Sequence, residues 1–434
     1  MMGNYWDAHV ETLSKDALEK LQLERLRQTV ARAGRSPFYG ERLRQAGVTA
    51  DTIRSLEDIR QIPFTTKDDL RAHSREMLTV PLRDIIRVHA SSGTTGQATV
   101  IYYTRTDIEL WADLVARSLY MTGLRADDVF QNMMGYGLFT GGLGFHYGAE
   151  RLGAMTIPAG AGNSRRQVQL MQQFETTAIH IIPSYALFLL TTFADLQVDP
   201  RDLPLRLAYI GAEPYSESTR QRIEAAYGVK AYNCYGLSEL NGPGVAFECP
   251  EQNGSHVWED SFLLEVVDPE TLEPVGPGVV GELVFTNLTR QGMPLLRYRS
   301  RDLASYDDQP CPCGRYSRRI SRIQGRTDDM IIIKGVNIFP IQIDRVLMSL
   351  PEVDANYLVE LRQEGGNETM VVKVEVKQEY FLEDLKFLKT LQKKVTDALK
   401  SELLVTPRVE LVEHQSLPRG EGKAVRVVDY RGQD

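Results

Sequence analysis

The stretch Ser91-Ser92-Gly93-Thr94-Thr95-Gly96-Gln97 is serine, threonine and glycine up to its last residue, with no apolar side chain. Such a loop can turn backbone N–H groups and hydroxyls toward one point, which is what a polyphosphate needs; glycines let the backbone approach closely. Alone, it reads more readily as a solvated Ser/Thr/Gly turn. The flanks decide. Ile85-Ile86-Arg87-Val88-His89 enters the loop as a strand, and Val100-Ile101-Tyr102-Tyr103 leaves it as another. A Walker-type loop needs Gly-Lys-Ser/Thr running directly into a helix. Here Gly96 is followed by Gln97 and a strand, so the P-loop nucleotide-hydrolase reading is rejected.

Before the loop, Ser14 caps a predicted helix through about Ala33. After it, Thr106-x-x-Glu109 is a capping-box signature for a helix to about Met121. Gly135 to Phe145 follows, rich in glycine and aromatic residues with no acid or base, a composition suited to a flat apolar ligand or to tight core packing. From Ala154 the pattern becomes rhythmic. Strands at Met155–Ile157, Ile179–Ile182, Leu207–Ile210 and Val229–Cys234 alternate with helices around 165–174, 185–196 and 217–226. That alternation predicts βαβ units and a parallel sheet, with ligands beyond the carboxyl ends of its strands. From about 245 to 326 the pattern is strands joined by turns, an expected antiparallel β-subdomain. After Arg326-Thr327-Asp328 comes a compact α+β unit: a hairpin across Lys334-Gly335, a helix at 341–350, a strand at 371–376, a long helix at 381–404 and a last strand at 409–412. The fold class expected is α/β. A large N-terminal domain (1–327) holds the parallel sheet and the β-subdomain, and a small mobile α+β domain (328–434) completes the chain.

Composition sets the outer limits. A length of 434 residues calls for two or three domains or subdomains. With 42% hydrophobic and 25% charged residues the chain reads as an ordinary soluble enzyme. A net charge of -8 argues against a dedicated nucleic-acid binder. No uncharged apolar run approaches the roughly 20 residues that span a bilayer, and no signal peptide is seen. Four cysteines do not make a disulfide framework, so a cytoplasmic location is expected.

Five landmarks in order, Ser91–Gly96, Tyr235–Glu239, Tyr298–Asp302, Gly325-Arg326-x-Asp328 and Gly422-Lys423, resemble the adenylate-forming superfamily of acyl-CoA synthetases, adenylation domains and luciferases. Tyr136–Tyr147, Tyr235–Leu240, Gly325–Pro340 and Leu417–Val428 resemble most closely the phenylacetate–CoA ligase family. The resemblance covers nearly the whole chain. It implies an AMP-forming ligase. A carboxylate attacks the α-phosphate of ATP to give an acyl-adenylate and pyrophosphate, and the thiol of coenzyme A then displaces AMP.

The resemblance also implies roles. Ser91, Ser92, Gly93, Thr94, Thr95 and Gly96 would hold the β- and γ-phosphates. Glu239 would bind Mg²⁺. Tyr235 would stack on adenine, with Asn233, Gly236 and Ser238 beside it and Gly211, Ala212, Glu213 and Pro214 lining the other side. Asp302 would hold the ribose hydroxyls, or else pair with Arg299 or Arg301. Arg326 would contact phosphate or ribose, or else form a junction salt bridge. Lys423 would reach the α-phosphate during adenylation, and Asp328 matches the hinge about which the small domain turns. Tyr136, Phe139, Gly141, Gly142 and Phe145, with Pro243 nearby, would form the pocket for an aryl acid. Gln97 departs from the family, where lysine is common, and loses a charge beside the leaving pyrophosphate. A homodimer is what the resemblance suggests.

Cys249-x6-His256 and Cys311-Pro312-Cys313 offer three thiols and an imidazole, enough for a tetrahedral structural zinc or simply reduced cysteines and a hydrogen-bonded histidine. Two other functions share most of these features. One is an adenylating enzyme that passes AMP or acyl to another acceptor, such as a deazaflavin cofactor or a carrier protein. The other is a catalytically inactive binding protein on the same fold.

Overall fold

A computed structural model describes residues 5–91, 98–333, 335–364, 367–381, 385–418 and 425–431. A nine-stranded sheet organises the larger part. Its order in space is Tyr306–Asp307, Arg319–Ile320, Ser255–Val257, Ala246–Glu248, Lys230–Tyr235, Leu207–Gly211, Ala178–Ile181, Val129–Asn132 and Met155–Ile157. From Lys230–Tyr235 to Met155–Ile157 the neighbours are parallel, and the other end is antiparallel. Ala178–Ile181 and Leu207–Gly211 are buried at every position. Continuous apolar runs of this kind belong to strands covered on both faces. The helices Ser164–Gln173, Pro183–Asp195 and Glu217–Tyr227 return the chain between strands. Gly228 ends the last of them in the left-handed conformation (φ 69°).

The expected antiparallel strands divide between two sheets. Ala246–Glu248 and Ser255–Val257 extend the large one, while Phe262–Val267, Gly281–Asn287, Tyr298–Ala304 and Gly325–Arg326 form a separate four-stranded sheet. The capping box also differs. The helix Arg105–Met121 is capped by Thr104 with Asp107, two residues ahead of the predicted pair, because the preceding strand runs to Thr104. The strand Val129–Asn132 and the helix Thr140–Leu152 were not anticipated. In that helix a Cβ on Gly142 would lie 2.5 Å from the Gly135 carbonyl oxygen, and one on Gly148 would lie 2.4 Å from Val115. Its glycines permit close packing of backbone and neighbouring helix.

Beyond Arg326 a separate hydrophobic cluster gathers Ile331, Ile338, Leu347, Tyr357, Val372, Val395 and Val409. The four-stranded sheet here has the order Arg408–Val412, Asn367–Val376, Val353–Glu364, Val427–Asp429. Val427–Asp429 follows the strand expected to be last, and Val353–Glu364 is a further addition. The helix Leu385–Leu403 packs on the sheet through Leu391, Val395, Leu399 and Leu403. Among the described residues, no helix is long and apolar enough to cross a membrane.

Candidate active site

The carboxyl ends of Leu207–Gly211 and Lys230–Tyr235 open onto the loops Gly211–Pro214 and Gly236–Glu239, where a parallel sheet offers room for a ligand. Glu213 is half-buried at the cleft edge. Its carboxylate accepts hydrogen bonds from Ser184 N (2.7 Å) and Ser184 Oγ (3.1 Å), at the first turn of the helix Pro183–Asp195. Ala212 supports the bend with a φ of 68°. Ser184, Glu213, Pro214, Tyr215, Gly325, Arg326 and Asp328 line one side of a cleft of about 470 Å³, and Asp344, Tyr357 and Arg426 line the other.

Behind the cleft wall lies a chain of charges. Tyr235 Oη donates to Asp302 Oδ2 (2.7 Å), and Arg326 Nη1 donates to Asp302 Oδ1 (2.5 Å). Arg326 Nε in turn reaches Asp328 Oδ1 at 2.9 Å. Asp302 therefore pairs with Arg326; Arg299, one of its expected alternatives, is engaged by Glu282 (2.6 Å). Burial pushes the Asp302 carboxyl above its ordinary value, and the Arg326 guanidinium opposes that shift. The Tyr235 ring is buried, and burial next to Asp302 pushes its hydroxyl far up, so it remains a hydrogen-bond donor.

Glu239 is buried at the start of the turn after Leu237. Its side chain meets the Tyr298 hydroxyl, whose ionisation is raised by burial and then by that carboxylate. Arg290, which no motif announced, holds the turn from beneath. Its Nη1 donates to the Glu239 carbonyl (2.6 Å), its Nη2 to Asn241 Oδ1 (2.6 Å), and its guanidinium sits 4.5 Å from the Tyr103 ring centre. Asn233 is committed elsewhere, with its amide on Tyr215 (2.9 Å) and Ser255 (3.2 Å). Ser238 Oγ lies 3.1 Å from Thr140 Oγ1.

The glycine–aromatic segment joins this site from the other side. Leu138 O accepts from both His89 Nδ1 (3.0 Å) and Ala90 N (3.0 Å), tying the segment to the strand that enters the Ser/Thr/Gly loop. Tyr136 Oη accepts from Asn132 Nδ2 (3.0 Å), and burial raises its ionisation to about 12. Asn132 also binds the Gly142 carbonyl (2.7 Å) and His180 Nδ1 (3.0 Å). Burial lowers His180 to about 3, so the ring is neutral.

Phe145 departs from expectation. It is completely buried, stacked 3.6 Å from His180 and packed on Phe130, Tyr209 and Phe247, so it belongs to the core and forms no open pocket wall. Pro243 packs where a Cβ on Gly144 would be, 2.7 Å away, and its carbonyl accepts from Trp111 Nε1 (2.6 Å). Gly141 and Gly142 are likewise filled by Phe139 and the Gly135 carbonyl, so their missing side chains do not leave space for a ring.

Ser91 and Thr99 close the base of the Ser/Thr/Gly loop through Ser91 N to Thr99 O (3.1 Å). Ser92, Gly93, Thr94, Thr95, Gly96 and Gln97 lie outside the described residues, as do Gly422 and Lys423. Cys249, His256, Cys311 and Cys313, far apart in sequence, converge at the antiparallel end of the large sheet. Cys234 is buried packing, with its thiol directed at Ile210 O (3.3 Å).

Asp302 and Arg326 thus face each other on paired strands beside the cleft, with the buried Glu239 nearby. Residues 14–289 match the model of the AMP-binding enzyme family, and residues 335–431 match that of the AMP-binding enzyme C-terminal domain. The phenylacetate–coenzyme A ligase of Thermus thermophilus is 45% identical over 98% of this chain and 99% of its own length. That of Escherichia coli is 42% identical over 97% of each. A crystal structure of 2-hydroxyisobutyryl-CoA ligase in the postadenylation state, in complex with 2-HIB-AMP, matches 99% of this chain and 93% of its own at 30% identity, with a TM-score of 0.94. The same ligase in the thioesterification state matches 98% and 92% at 31% identity, with a TM-score of 0.73. The chain thus belongs to the AMP-binding enzymes and, within them, to the phenylacetate–coenzyme A ligase family.

Proposed function

We propose that the protein joins phenylacetate, or a related aryl or arylacetic acid, to coenzyme A through an acyl-adenylate, releasing AMP and pyrophosphate. The observation that carries this reading is the 45% identity with a phenylacetate–coenzyme A ligase over nearly the whole of both chains. The chemistry follows from the leaving group: oxide is a poor one, AMP a good one. Activation brings a carboxylate against a triphosphate, so the site must supply positive charge and fixed donors.

Asp302 is suited to hold the ribose diol, because two carboxylate oxygens can accept from two hydroxyls while Arg326 keeps the charge in place. The Glu213–Pro214 side of the cleft would lie against adenine, and Tyr235, buried behind the wall, would hold Asp302 in place for the ribose. Magnesium is the usual companion of ATP. The buried Glu239 carboxylate, a hard oxygen donor, fits it, and the ion would neutralise phosphate charge. Tyr136, Phe139 and the Gly141 backbone remain the candidates for the aryl acid. The small C-terminal part would turn about Asp328, bringing Lys423 to the α-phosphate and then withdrawing it. Lys423→Ala should remove adenylation and leave thioester formation from pre-made acyl-adenylate intact; equal loss in both half-reactions would count against that role. A homodimer and a cytoplasmic location complete the reading, the first open to light scattering.

The test is ATP/pyrophosphate exchange against a panel of aryl, arylacetic and aliphatic acids, with and without coenzyme A. Phenylacetate should lead, with AMP release dependent on coenzyme A. Medium-chain fatty acids outcompeting every aryl acid would sink the substrate assignment. AMP transfer independent of coenzyme A would favour another acceptor, and no exchange with any acid an inactive binding protein.

A further inference from the structure

We propose that Cys249, His256, Cys311 and Cys313 form a closed tetrahedral zinc site that clasps the amino-terminal segment onto the large sheet. Sequence spacing permits such a site; distances argue for it. Zn–S bonds of about 2.3 Å and Zn–N bonds of about 2.0 Å set tetrahedral edges of about 3.8 Å between sulfurs and about 3.5 Å between sulfur and nitrogen. Cys249 Sγ lies 3.7 Å from Cys311 Sγ, and Cys313 Sγ lies 3.3 Å from His256 Nε2. All four ligand atoms fall within 4.8 Å of one another. The sulfur separation is far beyond the roughly 2.05 Å of a disulfide.

The surroundings are those of a ligand shell. His256 Nδ1 faces Ser317 Oγ (3.0 Å) and Ser317 O (3.2 Å). The carbonyl requires Nδ1 to carry the proton, which leaves Nε2 with its lone pair toward the thiols. Gly314, at φ 89°, closes the Cys311–Arg315 turn through Gly314 N to Cys311 O (2.9 Å), so that both thiols project to one side. Three thiolates around a divalent ion leave one negative charge. Arg315 Nη1, 3.6 Å from Cys313 Sγ, is a cationic donor beside it. Cys249, His256 and Cys311 are buried, and four protein ligands leave no position open for a substrate, so the site is structural.

The same turn is where the chain's beginning docks. Tyr5 Oη donates to Cys313 O (2.9 Å), and Arg315 Nε donates to Glu11 Oε2 (2.9 Å). The other oxygen of Glu11 accepts from Trp6 N (2.7 Å) and Asp7 N (2.8 Å). The ion therefore fixes a turn that in turn fixes residues 5–11.

Full-length protein purified with a reductant and assayed by atomic emission should carry about one zinc per chain. Cys313→Ser and His256→Ala should lose it, and Cys234→Ser should keep it. Stripping and reconstituting the unaltered protein with cobalt(II) should give thiolate-to-metal charge-transfer bands and the visible bands of a tetrahedral ion, which decides the matter even if the variants fail to fold. Stripped protein should also be cut sooner near residues 5–11 by a protease. Native protein that neither contains zinc nor gives the cobalt spectrum would overturn the proposal, as would zinc retained in both variants. Cobalt binding that leaves the proteolysis of residues 5–11 unchanged would overturn the clasp.

Discussion

The candidate nucleotide site and the contact between the two parts of the chain each contain a buried aspartate, and the two are built differently. Asp302 lies against a guanidinium, with Arg326 at 2.5 Å and the Tyr235 hydroxyl at 2.7 Å. Asp344, on the helix Pro340–Met348, accepts from Ser216 N (3.2 Å) and Thr219 Oγ1 (3.4 Å), across to the first turn of the helix Glu217–Tyr227. Burial raises both carboxyls above their ordinary value. An ion pair in contact makes Asp302 a permanent fixture, because removing one partner strands the other's charge. Asp344 holds a helix end through longer bonds to Ser216 and Thr219, and Arg426 and Arg222 act on its charge without a contact ion pair among the described residues. One aspartate is made to stay and the other to let go.

The largest effect should follow Asp302→Asn. Losing a charge-assisted contact of about 1.5–3 kcal/mol should lower kcat/KM for ATP in adenylation about 10- to 100-fold. A change below about threefold would erase the distinction drawn here. Asp344→Ala should cost less, about fivefold in adenylation, the ~1 kcal/mol typical of a helix cap. It should spare thioester formation from pre-made acyl-adenylate, and Asp344→Asn, which keeps an acceptor, should restore most of the loss. Equal loss in both half-reactions would mean that the contact serves both arrangements.

The smallest effect is on stability. With its pKa raised above 3.8, native Asp344 binds its proton more tightly than the unfolded chain does, so its contribution to stability falls as pH rises through that window. Asparagine has no such dependence. Urea midpoints for Asp344→Asn should improve relative to the parent as pH rises from about 4. The opposite slope would show that the charge is welcome where it sits.

What could be read from sequence followed the same division. The strands Ala178–Ile181 and Leu207–Gly211 are apolar throughout or nearly so, and their period is plain. Val129–Asn132 ends in two buried amides. Gln131 is satisfied by Gln167 and Thr176, and Asn132 by Gly142 and His180, partners that no local pattern reveals. The helix Thr140–Leu152 was hidden by glycines that weaken helix propensity yet allow the packing it needs. Thr104 and Thr106 each stand three residues before an acid, and only the end of the preceding strand selects between them. Asp302, Arg326 and Glu239 were legible as motifs. Arg290 was not, because its work is to hold a carbonyl and an amide from a distant loop.

The docking of Tyr5 on the Cys313 carbonyl bears on how the protein is handled at the bench. A polyhistidine tag ahead of Tyr5 would add metal-binding imidazoles to a preparation in which the proposed zinc is to be counted. Nickel resin would compound the error by exchanging metals at that corner. A carboxy-terminal tag read by an antibody or by streptavidin keeps the chemistry of purification away from the chemistry under test.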